Sequence, residues 1–278
     1  MDWLGTGLSG RPAFTASTHG DSVRFFLDAL ESWRHHNGLE KVSILGHSLG
    51  AYLAALYALE HPERVERLIL VGPAGLAARG APPPDSLLYR ALTSAWEGGI
   101  TPGSVVRFLG PLAPGRALYY AQRRFRDGEG LRPVEEQAFG AYVHHILAAR
   151  GSGEFALPHL LAPGAWARQP LLSRLKELQM PLTFIYGVND WMDWRSGAEA
   201  VNIVREQAGQ PAGLCRVANA GHYPMIDNPG AFHKQVLNAM LGRPVVSCGD
   251  QAPRNGAGSV KQDMGSAREV VDETLGGV

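Results

Sequence analysis

The chain has 278 residues, 45% of them hydrophobic, a size and apolar content that support one substantial core with an inserted unit. Lysine plus arginine balance aspartate plus glutamate at 26 each, so no global field calls for nucleic acid or a strongly anionic membrane as an obligatory partner. Two cysteines, Cys215 and Cys248, exclude a disulfide framework or a multi-cysteine metal site, and the chain has neither a bilayer-length apolar run nor a basic start followed by an apolar stretch. The expectation is a cytoplasmic protein whose function comes from a local site.

In chain order, Ser22 to His35 places Val23, Phe26, Leu27, Leu30 and Trp33 at three- and four-residue spacing, which predicts an amphipathic helix. Val42 to Leu45 is short and β-branched and predicts a buried parallel strand. An alanine- and leucine-rich helix is predicted over Ser48 to Glu60, and a second strand over Leu68 to Gly72. Across residues 77–170 the alternation stops. Proline, glycine and arginine punctuate helical stretches such as Asp85 to Trp96 and Val134 to Ala149, which reads as an inserted helical cap.

Strands resume at Leu182 to Gly187 and Leu214 to Ala218. A last helix is predicted with Asn228 as cap and Pro229 in its first turn, burying Phe232, Val236, Leu237, Met240 and Leu241. Residues 242–278 are poor in aromatics and rich in glycine and polar groups, so a disordered tail is expected after a domain spanning residues 1–241. Alternating strands and helices imply an α/β fold, with a mostly parallel sheet flanked by helices.

Gly46-His47-Ser48-Leu49-Gly50 follows a predicted strand and opens a predicted helix, the context in which G-x-S-x-G forms a nucleophile elbow. Side chains two positions either side of Ser48 would collide in so tight a turn, and glycine removes them. The Leu49 amide then points towards a developing oxyanion. A serine hydroxyl needs a base, itself oriented by a carboxylate. Of ten histidines, His222 follows the last predicted strand, where the order serine, acid, histidine expects the base. His47 lies inside the elbow, and the pairs His35, His36 and His144, His145 sit on helical patterns with no zinc-site spacing. Asp190, three residues past the strand-ending Gly187, is the expected carboxylate for His222, with Asp193, which has helix capping as its other reading, as the alternative.

Several segments resemble one group within the α/β-hydrolase family: the lipid-droplet lipase coactivator, the N-acyl phospholipid lipase, and plant and algal lysophosphatidic acid acyltransferase-phospholipases. They are Asp2-Trp3-Leu4-Gly5, Ser9-Gly10-Arg11-Pro12, Glu31-Ser32-Trp33-Arg34, the elbow itself, Leu70 to Gly75, and Phe184 to Met192. The similarity runs from Asp2 to Leu241. It implies an acyl-ester hydrolase or acyltransferase acting on glycerophospholipids or lysophospholipids. It also implies a lipid partner met at a lipid-droplet or endoplasmic reticulum surface, with acyl-CoA as an acyl-donor co-substrate and no bound cofactor or metal.

His222 and Asp227 form His-x4-Asp, a spacing that the resemblance links to acyl transfer; read from the residues alone, Asp227 stabilises the start of the last helix. Arg107, Arg123, Arg124 and Arg126 are candidate headgroup ligands. The coactivator branch lacks the nucleophilic serine, whereas Ser48 is present here. Relatives also carry strands and an oxyanion loop ahead of the Asp2 match, so one oxyanion donor is expected to be missing from this chain and activity to be weak. The competing readings are a non-catalytic lipid-surface scaffold and a small-molecule carboxylesterase.

Overall fold

The structure, a computed structural model, describes residues 1–78, 86–125 and 131–246. Four strands, β1 (Val42–His47), β2 (Val65–Val71), β3 (Leu182–Gly187) and β4 (Ala212–Val217), pair in parallel in the order β1-β2-β3-β4. β2 and β4 start earlier than the apolar runs predict. Glu66 and Arg67 interrupt the hydrophobic pattern, yet Val65 and Arg67 already pair with Val42 and Ser43.

Because strand side chains alternate, the sheet supplies two cores. Leu68, Leu70, Phe184 and Tyr186 face α1 (His19–His36), α2 (Leu49–Glu60) and α7 (Trp194–Glu206), whereas Ile69, Val71, Ile185, Cys215 and Val217 face α8 (Pro229–Met240). Leu45, the register partner of Ile69, is 42% exposed on β1, one of the two edge strands among the described residues.

Thr18 caps α1 by accepting the Asp21 N–H, and Val23, Phe26, Leu27 and Leu30 are buried. The expected face is corrected at its end: Trp33 is 41% exposed, while Arg34 is only 4% exposed. Arg34 turns inward because it finds a full set of acceptors there. Its Nε and Nη2 donate to Glu31 at 2.9 and 2.5 Å, and Nη1 donates to the Leu39 carbonyl. The Tyr57 hydroxyl of α2 donates to the same Glu31 carboxylate at 2.5 Å. Arg34 first, with Tyr57, holds the Glu31 carboxyl down to about 2. Burial, and then Glu31, push the Tyr57 hydroxyl up. The Glu31 to Arg34 segment therefore ties α1 to the helix that follows Ser48.

Between β2 and β3 lie α3 (Leu87–Glu97), α4 (Pro102–Leu109), α5 (Ala113–Arg124) and α6 (Pro133–Ala148), then a short antiparallel pair of Leu161–Ala162 with Trp166–Ala167. Asp85, the expected start of α3, lies outside the described residues. Small residues let α5 and α6 approach: Ala113, Ala117 and Ala121 are buried, and a Cβ on Gly140 would meet Leu118 Cα at 2.8 Å. Arg107 is committed to structure, donating to Glu154 at 2.6 Å and to the Leu147 and Ala149 carbonyls. The first residues fasten this region to the core. Gly5 O accepts the Gly153 N–H at 3.2 Å, Pro12 O accepts from Ser152 Oγ at 2.6 Å, and Trp3 packs edge-on against Phe26.

The α8 face also differs from expectation. Phe232, Gln235 and Ala239 point inward, whereas Leu237, Met240 and Leu241 are 60%, 44% and 60% exposed. The expected stripe is offset by about one residue because Gln235, although polar, has a buried place and accepts the Val246 N–H at 3.1 Å. Of the expected tail, residues 242–246 are described and 247–278 lie outside the described residues.

Replacing Glu31 with alanine leaves the buried Arg34 guanidinium without its carboxylate and should lower unfolding free energy by about 3 kcal/mol, measured by urea denaturation.

Candidate active site

β1 ends at His47 and α2 begins at Leu49, so Ser48 makes the whole turn alone, at φ 54° and ψ −120°. This is a strained conformation for a residue with a Cβ, and it persists only because the surroundings fix it. The Ser48 N–H donates to Val71 O at 2.9 Å, and its carbonyl accepts from the Ala51, Tyr52 and Ala74 amides. A Cβ on Gly46 would meet Gly50 O at 2.5 Å, so the elbow closes only around glycine there. Gly50 serves a different neighbour, since its Cβ would lie 3.1 Å from Trp3 Nε1. The Leu49 amide is the first of α2 and has no acceptor within its own helix, so it and the helix dipole present positive charge beside Ser48.

The loop after β4 brings His222 Nε2 to 3.0 Å from Ser48 Oγ. On its other side, Nδ1 lies 2.9 Å from Asp190 Oδ1, which also accepts the Met192 N–H at 2.9 Å. A carboxylate only accepts, so Nδ1 carries the proton and Nε2 offers its lone pair to the serine hydroxyl. The pair is shielded from solvent, with side chains 6% and 1% exposed. The structure thus brings Ser48, His222 and Asp190 together. Asp193 sits elsewhere: it is the N-cap of α7, accepts the Arg195 N–H at 3.1 Å, and is 52% exposed.

Two glycines make this convergence sterically possible, and neither stands out as a site residue in the sequence. Gly72, at φ 45°, directly follows β2 where a Cβ would meet Asp190 Oδ2 at 2.7 Å and His222 Nδ1 at 3.0 Å. Gly187 ends β3 where a Cβ would meet the Ala220 and Gly221 carbonyls at 2.2 and 2.1 Å. Their only sequence signal is position, as the glycines that close apolar strands.

His47 Nε2 lies 2.7 Å from the His222 carbonyl, joining the elbow to the histidine loop, and its ring lies 4.7 Å from that of His222. Burial, and then the neighbouring His222, lower the His47 pKa to about 4. Being neutral, it donates to the carbonyl. Trp191 and Tyr223 complete an aromatic surround, with ring centroids 5.1 and 5.5 Å from His222.

α8 is capped, as expected, by Asn228, which accepts the Ala231 N–H at 3.2 Å; Asp227, the residue before it, uses its Oδ2 to accept the Gly221 N–H at 2.8 Å. Among the arginines read as headgroup ligands, Arg124 is brought to this site, its guanidinium 4.9 Å from the Tyr223 ring centroid. Arg107 is bound to Glu154, Arg123 donates to the Tyr119 hydroxyl at 3.4 Å, and Arg126 lies outside the described residues. His35, His36 and His145 are exposed, His144 is half-buried, and the described residues hold no cluster of three or more potential metal ligands.

The family model for the alpha/beta hydrolase fold matches residues 1–125. Over 249 residues the chain is 42% identical to a 1-acylglycerol-3-phosphate O-acyltransferase of Arabidopsis thaliana, covering 86% of this chain and 59% of that protein. It is 32% identical to the (Lyso)-N-acylphosphatidylethanolamine lipase of Mus musculus, covering 85% of this chain and 69% of that one. This chain belongs to the α/β-hydrolase family.

Within that family it falls in the subfamily of the plant acyltransferases, the lipase, and the 1-acylglycerol-3-phosphate O-acyltransferase ABHD5, to whose Sus scrofa form it is 33% identical, covering 85% of this chain and 67% of that one. This α/β-hydrolase spans about three fifths of the length of the plant relatives it matches, 59%. Solved structures agree on the fold. A probable hydrolytic enzyme from Pseudomonas aeruginosa superposes with TM-score 0.58 at 20% identity, covering 86% of this chain and 74% of that one. A thermophilic esterase from Thermogutta terrifontis superposes with TM-score 0.57 at 19% identity, covering 87% and 78%.

Two outcomes follow from the geometry. His47 is held neutral in the fold, with its pKa lowered from 6.5 to about 4, whereas the unfolded chain protonates it near 6.5. Stability should therefore be fully present above pH 6.5 and fall as pH drops towards 4, and urea midpoints of His47→Gln should show a shallower fall over that window. Gly72→Ala should displace Asp190 or His222 and, if the site hydrolyses esters as proposed below, lower kcat on a chromogenic ester by about 100-fold.

Proposed function

We propose that this α/β-hydrolase is a serine-dependent acyl-ester hydrolase or acyltransferase acting on glycerophospholipids or lysophospholipids, with Ser48, His222 and Asp190 as its catalytic groups. The continuous hydrogen-bonded line from Ser48 Oγ through both His222 nitrogens to Asp190, at 3.0 and 2.9 Å, carries the reading. Ser48 Oγ attacks the ester carbonyl while His222 Nε2 takes the hydroxyl proton, and the buried Asp190 carboxylate stabilises the imidazolium. The Leu49 N–H meets the oxyanion. Collapse expels the alcohol, which receives the proton from His222, and leaves acyl-Ser48.

The same base then activates an acceptor. Water gives a free fatty acid, and a lysophospholipid hydroxyl gives a transferred acyl chain. With acyl-CoA as donor, the first leaving group is the CoA thiol. The lipid class is supported by relatives named for acylglycerol-phosphate acyl transfer and for N-acylphosphatidylethanolamine hydrolysis. On this reading the substrate is met at the surface of a lipid droplet or of the endoplasmic reticulum, facing the cytoplasm. No helix of the described residues is long and apolar enough to cross a membrane.

The test is labelling with a fluorophosphonate probe, then incubation with phospholipid, lysophosphatidic acid and acyl-CoA and product analysis by mass spectrometry. Wild type should label at Ser48. Ser48→Ala should lose labelling and reduce turnover on the order of 10⁶-fold. Labelling that persists in Ser48→Ala overturns the nucleophile, turnover confined to short soluble esters favours the small-molecule carboxylesterase, and a folded chain that never labels favours the scaffold.

A further inference from the structure

The acid of His-x4-Asp is held in a way that a proton-transfer role does not explain. Asp227 Oδ2 accepts the Gly221 N–H at 2.8 Å, its side chain is 5% exposed, and Arg124 Nη2 lies 3.9 Å from the same oxygen. Arg124 is the last residue of α5, within the helices inserted between β2 and β3. Its guanidinium lies over the Tyr223 ring at 4.9 Å, and Phe125 beside it meets that ring at 5.9 Å. From the elbow, His47 Nε2 donates to the His222 carbonyl at 2.7 Å. Three successive residues are thus gripped in turn: Gly221 at its amide, His222 at its carbonyl, and Tyr223 at its ring face.

We propose that Asp227 and Arg124 are positioning residues for His222, a clamp that fixes the loop presenting Nε2 to Ser48 and couples its alignment to the seating of the inserted helices. A hydrogen bond from an amide to a carboxylate is shorter and stronger than a neutral one, so Asp227 is a stiff anchor for the residue before the base. Arg124 keeps that buried carboxylate from standing as an isolated charge and braces Tyr223 by its cation–π contact. Nε2 is already 3.0 Å from Ser48 Oγ, and a displacement of about 1 Å at such a contact costs about 100-fold in rate. An amide N–H is no proton source for catalysis. Asp227 therefore serves hydrolysis and transfer alike, through His222. The assignment rests on the proposed Ser48, His222 and Asp190 reading.

The test uses the full chain as wild type, Asp227→Ala, Asp227→Asn, Arg124→Ala and the double alanine variant. Steady-state hydrolysis, acyl transfer to lysophosphatidic acid and hydrogen exchange of the peptide containing Gly221 are measured on each. Asp227→Ala should lower kcat for hydrolysis and for transfer by the same factor, about 10- to 100-fold, with KM within about twofold of wild type. Asparagine retains an acceptor for the Gly221 N–H and should recover most of the lost rate. Arg124→Ala should lower kcat in the same direction, and the double variant should be no slower than Asp227→Ala, because the two residues act as one unit.

Exchange of the loop should quicken in Asp227→Ala and in Arg124→Ala and stay near wild type in Asp227→Asn. Loss of transfer alone, or an asparagine variant as slow as alanine, overturns the proposal in favour of a proton-handling Asp227. If Asp227→Ala does not fold, Arg124→Ala and Asp227→Asn decide by the same criteria. Failure of the wild type to label at Ser48 refutes the functional reading by itself; loop exchange still judges the clamp, and unchanged exchange in Asp227→Ala or Arg124→Ala overturns it.

Discussion

Parallel pairing of four strands is the constraint on which the site depends. Each strand runs the same way, so the chain leaves β1, β2, β3 and β4 at one edge of the sheet, and the loops there deliver Ser48, Gly72, Asp190 and His222 to one place. Ligands of open α/β sheets gather outside the carboxyl ends of the strands for this reason. The pairing also fixes depth. Gly46 pairs with Leu70 and Ile185 with Cys215, so the strands end at matching heights and the loops that follow meet without long excursions.

Strain is concentrated at one residue and opposed on every side. Ser48 adopts a backbone conformation that its Cβ disfavours, while the Val71 carbonyl, the Ala74 amide and the first turn of α2 hold it there. α2 in turn is buried nearly all round, from Ala51 to Ala58, and is anchored to α1 through Tyr57 and Glu31. A perturbation at the ion pair of α1 is therefore felt at the helix that opens beside Ser48. Energy invested in packing far from Ser48 is what lets the turn remain strained.

The histidine loop is built on the opposite principle, with little strain and many tethers. Asn228 holds Ala218 O at 3.0 Å, Asn189 N–H donates to Ala220 O at 2.9 Å, Asp227 holds the Gly221 amide, and His47 holds the His222 carbonyl. These contacts fix the frame from which His222 Nε2 faces Ser48 Oγ at 3.0 Å. Arg124 and Phe125 bring the inserted helices into that frame through the Tyr223 ring.

Much of this was legible in the residues. The strand, the G-x-S-x-G turn and the alanine-rich helix mark Ser48, because only glycine at 46 and small side chains along α2 allow the elbow to close, and local sterics are written in local sequence. The position of His222 after the last strand follows from chain order alone. What the sequence left open needed distances between segments far apart in the chain. Spacing favoured Asp190 over Asp193 without excluding the latter, and the direction in which the loop leaves Gly187 made Asp190 the partner of His222. Arg34 in place of Trp33 inside α1, Gln235 in place of Leu237 inside α8, and Arg124 at the base all depend on acceptors or rings supplied by distant segments. Hydrophobic periodicity cannot see such partners. Composition, spacing and turn chemistry determined the fold and the strained elbow at Ser48, whereas the tertiary structure alone decided which polar groups meet, because a buried hydrogen bond is a property of two places in the chain at once.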